Sequence, residues 1–262
     1  MSQDKVRYEA KGGIGRITLC DPPANTYSYA MMRELDAAIL EARMDAAVHA
    51  IVLRGEGDKF FCAGADIKML TEADPGFKYY FCLHANETLC RLEQTPKVVI
   101  AALNGHCVGG GLEIALAADL RVAKRGGGKI GLPEVNLGVL PGTGGTQRLA
   151  RALGRARAFE LMATGRTFSF DEAKVLGLVN EVFEPGEFDA GVDAFAAQFL
   201  PPSRAAKAVG FIKRAVISGL EAGFGEGLAL ERELQQRLFE SEDAKEGLAA
   251  YVERRSPRFT GR

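Results

Sequence analysis

Three consecutive glycines, Gly109 to Gly111, stand directly before an apolar segment with helical character, and that segment contains a glutamate, Glu113. A glycine inside a helix costs about 1 kcal/mol relative to alanine, so the triplet is a poor way to begin a helix. It does leave several backbone N–H groups free, and it lets a ligand approach the main chain closely. The pattern predicts either a site for an anion or oxyanion, or a tight turn from strand to helix.

Glu113 follows Gly110 by three residues and therefore lies about one turn into the helix, on the face of the helix start. Its neighbours along the chain are apolar, which predicts that the side chain is buried. Because a buried carboxylate is costly unless it is bonded or functional, we predict that Glu113 is a functional acid.

A second acid, Glu134, occurs in the segment GLPEVNLGVLPGTGGTQRL, whose glycine-rich part leads into another helix that could present its N-terminus to a ligand. Taken alone, Glu134 would be an ordinary surface acid. Paired with Glu113 it suggests a reaction, since adding or removing water across a double bond needs one group to take a proton and another to give one.

A third segment, FFCAGADIKML, places the small residues Ala63, Gly64 and Ala65 after an apolar strand, where another backbone N–H can be exposed. Two such donors from separate segments that meet at one carbonyl oxygen form an oxyanion hole. Spacing alone does not establish that these segments meet.

Composition and motifs exclude several other classes of protein. A net charge of −1 over 262 residues gives no general attraction to nucleic acid or acidic membranes. The chain has no P-loop GK[ST], no dinucleotide-binding GxGxxG in a strand-turn-helix context and no hydrolase G-x-S-x-G. Five cysteines without CxxC spacing and only three histidines predict neither a disulfide framework nor a metal site.

The same features predict where the protein resides. The odd number of cysteines fits a reducing compartment, and the residues MSQDKVRYEA resemble neither a secretory signal nor a transit peptide, so we expect a cytoplasmic protein. The segment from Val98 to Leu120 is long enough to span a bilayer, but it contains four polar or charged residues, Glu113 among them. We therefore expect no membrane partner.

The spacing of apolar residues predicts the strands and helices that position these segments. Val6 to Glu9 and Ile14 to Leu19 flank a glycine turn and predict a hairpin, and Ser28 is a candidate N-cap for the next helix. Two apolar runs, Val48 to Gly55 and Lys97 to Gly105, predict strands covered on both faces, with a helix from Tyr79 to Gln94 between them.

Strands and helices alternate in this way through roughly the first 185 residues, which predicts an α/β fold with a largely parallel sheet. Ser169 and Glu172 have the spacing of a capping box, and Gly177 is placed to end that helix. From about Glu187 only helical spacing recurs. We predict a core over residues 1–186 that carries the site, and a helical region over 187–262 that packs on neighbouring copies and closes the site.

Taken together, the blocks FFCAGADIKML, NGHCVGGGLEIALAADLRVA and LPEVNLGVLPGTGGTQRLARALG resemble those of the enoyl-CoA hydratase/isomerase family, also called the crotonase family. The resemblance extends over nearly the whole chain, including SFDEAKVLGLVNEVF and EGLAAYVERRSPRF. It implies a crotonase-like spiral of ββα units, a C-terminal helical trimerisation region, a homotrimer or homohexamer, and a coenzyme A thioester as substrate. No metal, nicotinamide or other separate cofactor is implied, because coenzyme A is part of the substrate.

Carried over by position, the family pattern assigns roles to particular residues. The backbone N–H groups of Ala65 and Gly110 would hold the thioester oxygen; Glu113 would activate a water molecule, and Glu134 would exchange the proton at the α-carbon. The residues expected to bind coenzyme A are Ala24, Ala63, Ala65, Asp66, Ile67 and, from the tail, Arg254.

The two glutamates favour an enoyl-CoA hydratase, which adds water reversibly and on one face to a trans-2-enoyl-CoA to give a 3-hydroxyacyl-CoA. Relatives that only shift a double bond often keep just the second acid. The alternatives are an isomerase, a hydratase or dehydratase of branched or alicyclic acyl-CoA, and, from another class, a non-catalytic member that binds RNA. The near-neutral charge argues against RNA.

The sequence departs from the family pattern at two places. After Asn25 the usual pair of a small residue and leucine is replaced by Thr26 and Tyr27, and Tyr29 follows closely. An aromatic residue here either reshapes the acyl or pantetheine channel or packs against the next helix. The segment KRGGGKIGLPE is also one residue longer than expected, with three glycines to absorb the extra length.

Overall fold

The computed structural model describes residues 4–261, which form a mixed α/β fold followed by helices. The strands are β1 Val6–Lys11, β2 Ile14–Leu19, β3 Ala50–Gly55, β4 Phe60–Cys62, β5 Val98–Leu103, β6 His106–Val108, β7 Leu120–Lys124, β8 Lys129–Gly131, β9 Phe168–Ser169 and β10 Glu181–Phe183. The α-helices are α1 Tyr29–Met44, α2 Ile67–Glu72, α3 Pro75–Glu93, α4 Gly110–Leu116, α5 Gly145–Leu153, α6 Arg155–Thr164, α7 Phe170–Val175, α8 Phe188–Ala197, α9 Ala206–Leu220, α10 Phe224–Phe239 and α11 Glu242–Val252. Two short 3-10 helices span Glu134–Leu137 and Pro185–Glu187.

The strands form two sheets. The larger has the order β1-β2-β3-β5-β7-β10, and all of its neighbours run parallel except the hairpin of β1 and β2. The smaller has the order β4-β6-β8-β9. The predicted hairpin and the largely parallel sheet are therefore confirmed, whereas the second sheet was not predicted, because its strands have only two or three residues each.

Both faces of the central strands β3 and β5 are buried, as their apolar runs predict. Alternate residues of β3 face opposite sides: Ile51 and Leu53 belong to the main core with α1 and α3, while Ala50 and Val52 belong to a second core. Helix α8 covers that second face with Phe188, Val192 and Ala196. The first helix of the C-terminal region thus packs on the sheet, and the division at residues 186 and 187 stays a prediction.

Local signals place several helix starts. Ser28 caps α1 as predicted and accepts a hydrogen bond from the Met31 N–H. Ser169 likewise caps α7 through the Glu172 N–H, while the Glu172 side chain forms an ion pair with Arg166. The predicted start of α3 at Tyr79 is wrong: the helix begins at Pro75, because Asp74 caps it and proline suits the first helical turn.

The glycines expected to absorb the extra length before Glu134, Gly126 to Gly128, lie in the turn formed by residues 125–128, between β7 and β8. Arg125 in this turn forms ion pairs with Asp171 and Glu184. The chain then continues through β8, which pairs with β6, into the 3-10 helix that begins at Glu134. Where the extra residue is accommodated stays a prediction.

Candidate active site

A cavity of about 420 Å³ lies where the smaller sheet meets α2, α4 and the segment after β8. This volume is within the usual range for a small-molecule site. Six of the residues predicted from sequence line the cavity together: Ala63, Ala65, Ile67, Gly110, Glu113 and Glu134. The structure thus brings together three segments that are far apart along the chain.

The loop after β4 and the start of α4 are in direct contact. A Cβ atom built on Gly64 would lie 3.0 Å from the Gly110 nitrogen and 3.2 Å from the Val108 oxygen. Within residues 4–261 neither the Ala65 N–H nor the Gly110 N–H donates a hydrogen bond to the protein. Two residues of neighbouring segments that line one cavity thus have N–H groups without an acceptor in residues 4–261, as an oxyanion hole requires.

Each position of the glycine triplet requires glycine for a different structural reason. Gly109 has φ +56°, a backbone angle that residues other than glycine rarely adopt. At Gly110 a Cβ would lie 2.0 Å from a ring carbon of Tyr27, and at Gly111 it would lie 2.0 Å from the Cys62 carbonyl oxygen. The triplet therefore serves a tight turn and close packing as well as an exposed N–H.

Glu113 is buried, with 2% of its surface exposed. Its Oε1 atom accepts hydrogen bonds from the Thr143 N–H at 2.7 Å and the Gly145 N–H at 2.8 Å. Its Oε2 atom accepts from the Thr143 hydroxyl. The N-terminus of α5, which the sequence suggested for a ligand, thus faces the Glu113 carboxylate, and such donors stabilise a negative charge.

Glu134 has a different environment. Its Oε2 atom is buried and, within residues 4–261, has no hydrogen-bond partner. Burial first, and the charge of Glu113 second, raise the pKa of Glu134 to about 7, against the opposing effects of its own backbone N–H and of Lys78. Glu113 therefore accepts hydrogen bonds from three donors, while Glu134 can exchange a proton near neutral pH.

Three of the residues predicted to bind coenzyme A lie outside the cavity lining. The Ala24 carbonyl accepts a hydrogen bond from the Ala63 N–H at 3.0 Å and so joins the first loop to the site. Asp66 caps α2 by accepting from Lys68 and Met69. Arg254 is exposed after α11, with φ +55°. Their roles in binding stay predictions.

Tyr27 lines the cavity and stacks on Phe81 of α3, with 5.6 Å between ring centroids. This helix is not the next one along the chain, which is α1, and a reshaped channel stays a prediction. Tyr29 is 43% exposed and packs edge-on against Phe77 and His84, away from the cavity lining.

Sequence reasoning missed Thr143 and Lys78, which also line the cavity. The PGTGGT motif was the only signal for Thr143. Burial raises the pKa of the Cys62 thiol to about 12 and that of Cys107 above its usual range, as expected of cysteines that serve only in packing.

Comparison with known proteins decides the family. The model of the enoyl-CoA hydratase/isomerase family matches residues 9–262. The chain belongs to the enoyl-CoA hydratase/isomerase family. The predicted family and the prediction of an enzyme are both confirmed, because relatives of the chain over its full length bear the name of a hydro-lyase.

Among these relatives, a probable enoyl-CoA hydratase of Rhizobium meliloti is 42% identical over 100% of both chains. A short-chain-enoyl-CoA hydratase of Clostridium acetobutylicum is 38% identical over 97% of both. The structure of an enoyl-CoA hydratase from Bacillus anthracis is 33% identical and superposes with a TM-score of 0.92, covering 98% of this chain and 100% of the other.

A solved structure from Geobacillus kaustophilus HTA426, named "Enoyl-CoA hydrates", is 45% identical, with a TM-score of 0.96 over 100% of this chain and 98% of the other. The crotonase-like fold is thereby confirmed. Members of this family act on acyl-CoA substrates. Among residues 4–261 no helix is long and apolar enough to cross a membrane.

Proposed function

We propose that the protein is an enoyl-CoA hydratase, which adds water reversibly and on one face to a trans-2-enoyl-CoA to give a 3-hydroxyacyl-CoA. The observation that supports this most strongly is the meeting of Glu113, Glu134 and the free N–H groups of Ala65 and Gly110 in one cavity. A binding protein without catalysis would not need two acids in such different environments.

In the proposed reaction the Ala65 and Gly110 N–H groups donate hydrogen bonds to the thioester oxygen and stabilise the negative charge that develops there. Glu113 takes a proton from the water that attacks the β-carbon, and Glu134 gives a proton to the α-carbon. The enzyme begins with one proton on the pair and ends with one, so the reverse reaction needs only the same pair. No metal or separate cofactor takes part in this proposal.

Turnover of a panel of enoyl-CoA thioesters tests the activity directly. Loss of the enoyl absorbance is expected for at least one of short, long, branched and cyclic substrates, and the panel also shows whether a double bond moves instead. Absence of turnover on every substrate would rule out the hydratase. The same panel determines the preferred length and branching of the acyl chain. The sequence does not reveal this preference, because the cavity walls come from loops distant in sequence.

The substitutions Glu113→Gln and Glu134→Gln test the two roles. Each is expected to lower kcat by several orders of magnitude and to leave thioester binding largely intact, since the amide keeps the shape and loses the ability to exchange a proton. Glu87→Gln, an exposed change on α3, is the matched control. Full hydratase activity in Glu113→Gln would contradict its role in activating water.

We further propose a cytoplasmic homotrimer or homohexamer that serves fatty acid β-oxidation. All five cysteines are free thiols, which fits a reducing compartment. Large apolar side chains are exposed on the C-terminal helices, among them Leu220 and Phe224. Such surfaces usually bind a partner, and another copy of the chain is the partner proposed here.

A further inference from the structure

Tyr27 stands where the sequence departs from the family pattern, and its side chain is 3% exposed at the wall of the active site. Its hydroxyl oxygen lies 3.3 Å from Thr143 Oγ1. The Thr143 hydroxyl also bonds to Glu113 Oε2. A hydrogen-bonded chain of three side chains therefore ends on the acid that is proposed to activate water.

The direction of these hydrogen bonds follows from which atoms can donate and which can accept. An ionised carboxylate only accepts hydrogen bonds, so Thr143 must donate its single hydroxyl proton to Glu113. Thr143 Oγ1 is then the acceptor for the Tyr27 hydroxyl. Burial first, and the charge of Glu113 second, raise the pKa of Tyr27 well above its usual range, so the phenol keeps the proton that it donates.

The hydrogen bonds from Tyr27 through Thr143 end on one oxygen of Glu113, Oε2. Oε1 already accepts from two backbone N–H groups, those of Thr143 and Gly145. Oε2 accepts only from the Thr143 hydroxyl among residues 4–261, so it retains a lone pair for a water molecule. Thr143, supported by Tyr27, fixes the position of the oxygen that is left to meet that water.

Packing fixes the Tyr27 ring in turn. One contact is the stacked ring of Phe81, at an interplanar angle of 25°. Another is Gly110, where even a methyl group would overlap the Tyr27 ring. The Tyr27 N–H donates to the Gly64 oxygen at 3.0 Å, and its carbonyl accepts from the Asp66 N–H at 3.1 Å. Contacts to both its backbone and its ring therefore fix the position of the Tyr27 hydroxyl.

We propose that Tyr27 is a positioning residue that, through Thr143, holds Glu113 Oε2 in the orientation needed to take a proton from the attacking water. The inference rests on the proposed hydratase function. The leucine of the usual family pattern has no hydroxyl, so the tyrosine adds a polar support that this pattern lacks.

Kinetics of Tyr27→Phe, Thr143→Val and the double variant test the inference. Tyr27→Phe keeps the ring and is expected to lower kcat about tenfold, as loss of one hydrogen bond would, with KM unchanged. Because Tyr27 acts through Thr143, adding Tyr27→Phe to Thr143→Val should lower kcat no further. Tyr29→Phe, two residues later at the start of α1 and outside the cavity lining, is the control and should match the wild type. Wild-type kcat in Tyr27→Phe, or losses that multiply in the double variant, would overturn the inference.

A second measurement does not depend on turnover. In protein labelled with ¹³C at tyrosine Cζ, the Tyr27 resonance is identified by its loss in Tyr27→Phe. Thr143→Val should shift this resonance and leave that of Tyr29 in place; an unshifted Tyr27 resonance would disprove the hydrogen bond and the inference with it. A shifted resonance in a protein that turns over no enoyl-CoA would contradict the proposed function and leave the Tyr27–Thr143–Glu113 chain standing.

Discussion

At the scale of residues, the site consists of two carboxylates with opposite surroundings. Glu113 meets three hydrogen-bond donors, whereas Glu134 has a buried oxygen without a partner in residues 4–261 and a pKa raised to about 7. Different environments are what allow two identical side chains to act as base and acid at one pH.

The pH dependence of kcat/KM follows from this difference. Glu134 holds its proton below its pKa of about 7 and loses it as the pH rises through that value. Since the proposed reaction needs one proton on the pair in either direction, kcat/KM for hydration and for dehydration should both fall above pH about 7. Rates of both reactions between pH 5 and 9 check this. A profile that stays flat to pH 9 would show that Glu134 is not the group that supplies the proton.

At the scale of elements, short segments with little stability of their own build the site. Helix α4 has seven residues and begins at a glycine. It is held because its Glu113 accepts from the N-terminus of α5 and because Gly111 packs on the Cys62 carbonyl. The site thus depends on contacts between elements, not on the intrinsic stability of any one of them.

A largely buried ion pair links helix α9 to Asp119, the residue before β7 of the larger sheet, and substitutions can test its contribution to stability. Lys213 Nζ lies 2.8 Å from Asp119 Oδ2 and donates to the Lys97 carbonyl at 3.0 Å. Lys213→Met leaves the Asp119 carboxylate without its cation and should lower the free energy of unfolding by about 3 kcal/mol. Urea denaturation measures this.

Two further variants complete that test. Lys207→Met, an exposed change on the same helix, should leave the free energy of unfolding nearly unchanged. Adding Asp119→Asn to Lys213→Met should recover part of the loss, because no unpaired charge is then buried. Equal stability of Lys213→Met and the wild type would mean that the ion pair does not hold α9 to the sheet.

At the scale of the whole molecule, the apolar side chains of the C-terminal helices set an expectation for assembly. Phe224 is 84% exposed and Leu220 77% exposed in the single chain. Surfaces of this kind commonly pack against another subunit.

Size-exclusion chromatography with light scattering should therefore give three or six times the chain mass of 28.1 kDa. Phe224→Arg should lower that mass, because it places a charge in the proposed interface. Val175→Arg changes an equally exposed apolar residue on α7, outside the C-terminal helices, and should not lower it. A monomeric wild type would contradict the proposed assembly.

The sequence by itself determined the chemistry-bearing segments, the family and most of the helices and strands, since periodicity, caps and glycine turns act over a few residues. It did not determine the second sheet, the start of α3 or the partners of Glu113. The Tyr27–Thr143 contact joins residues 116 positions apart, and Thr143 meets Glu113 across 30. Only tertiary packing decides such contacts, because a side chain's environment in the cavity depends on which distant segments the fold brings beside it.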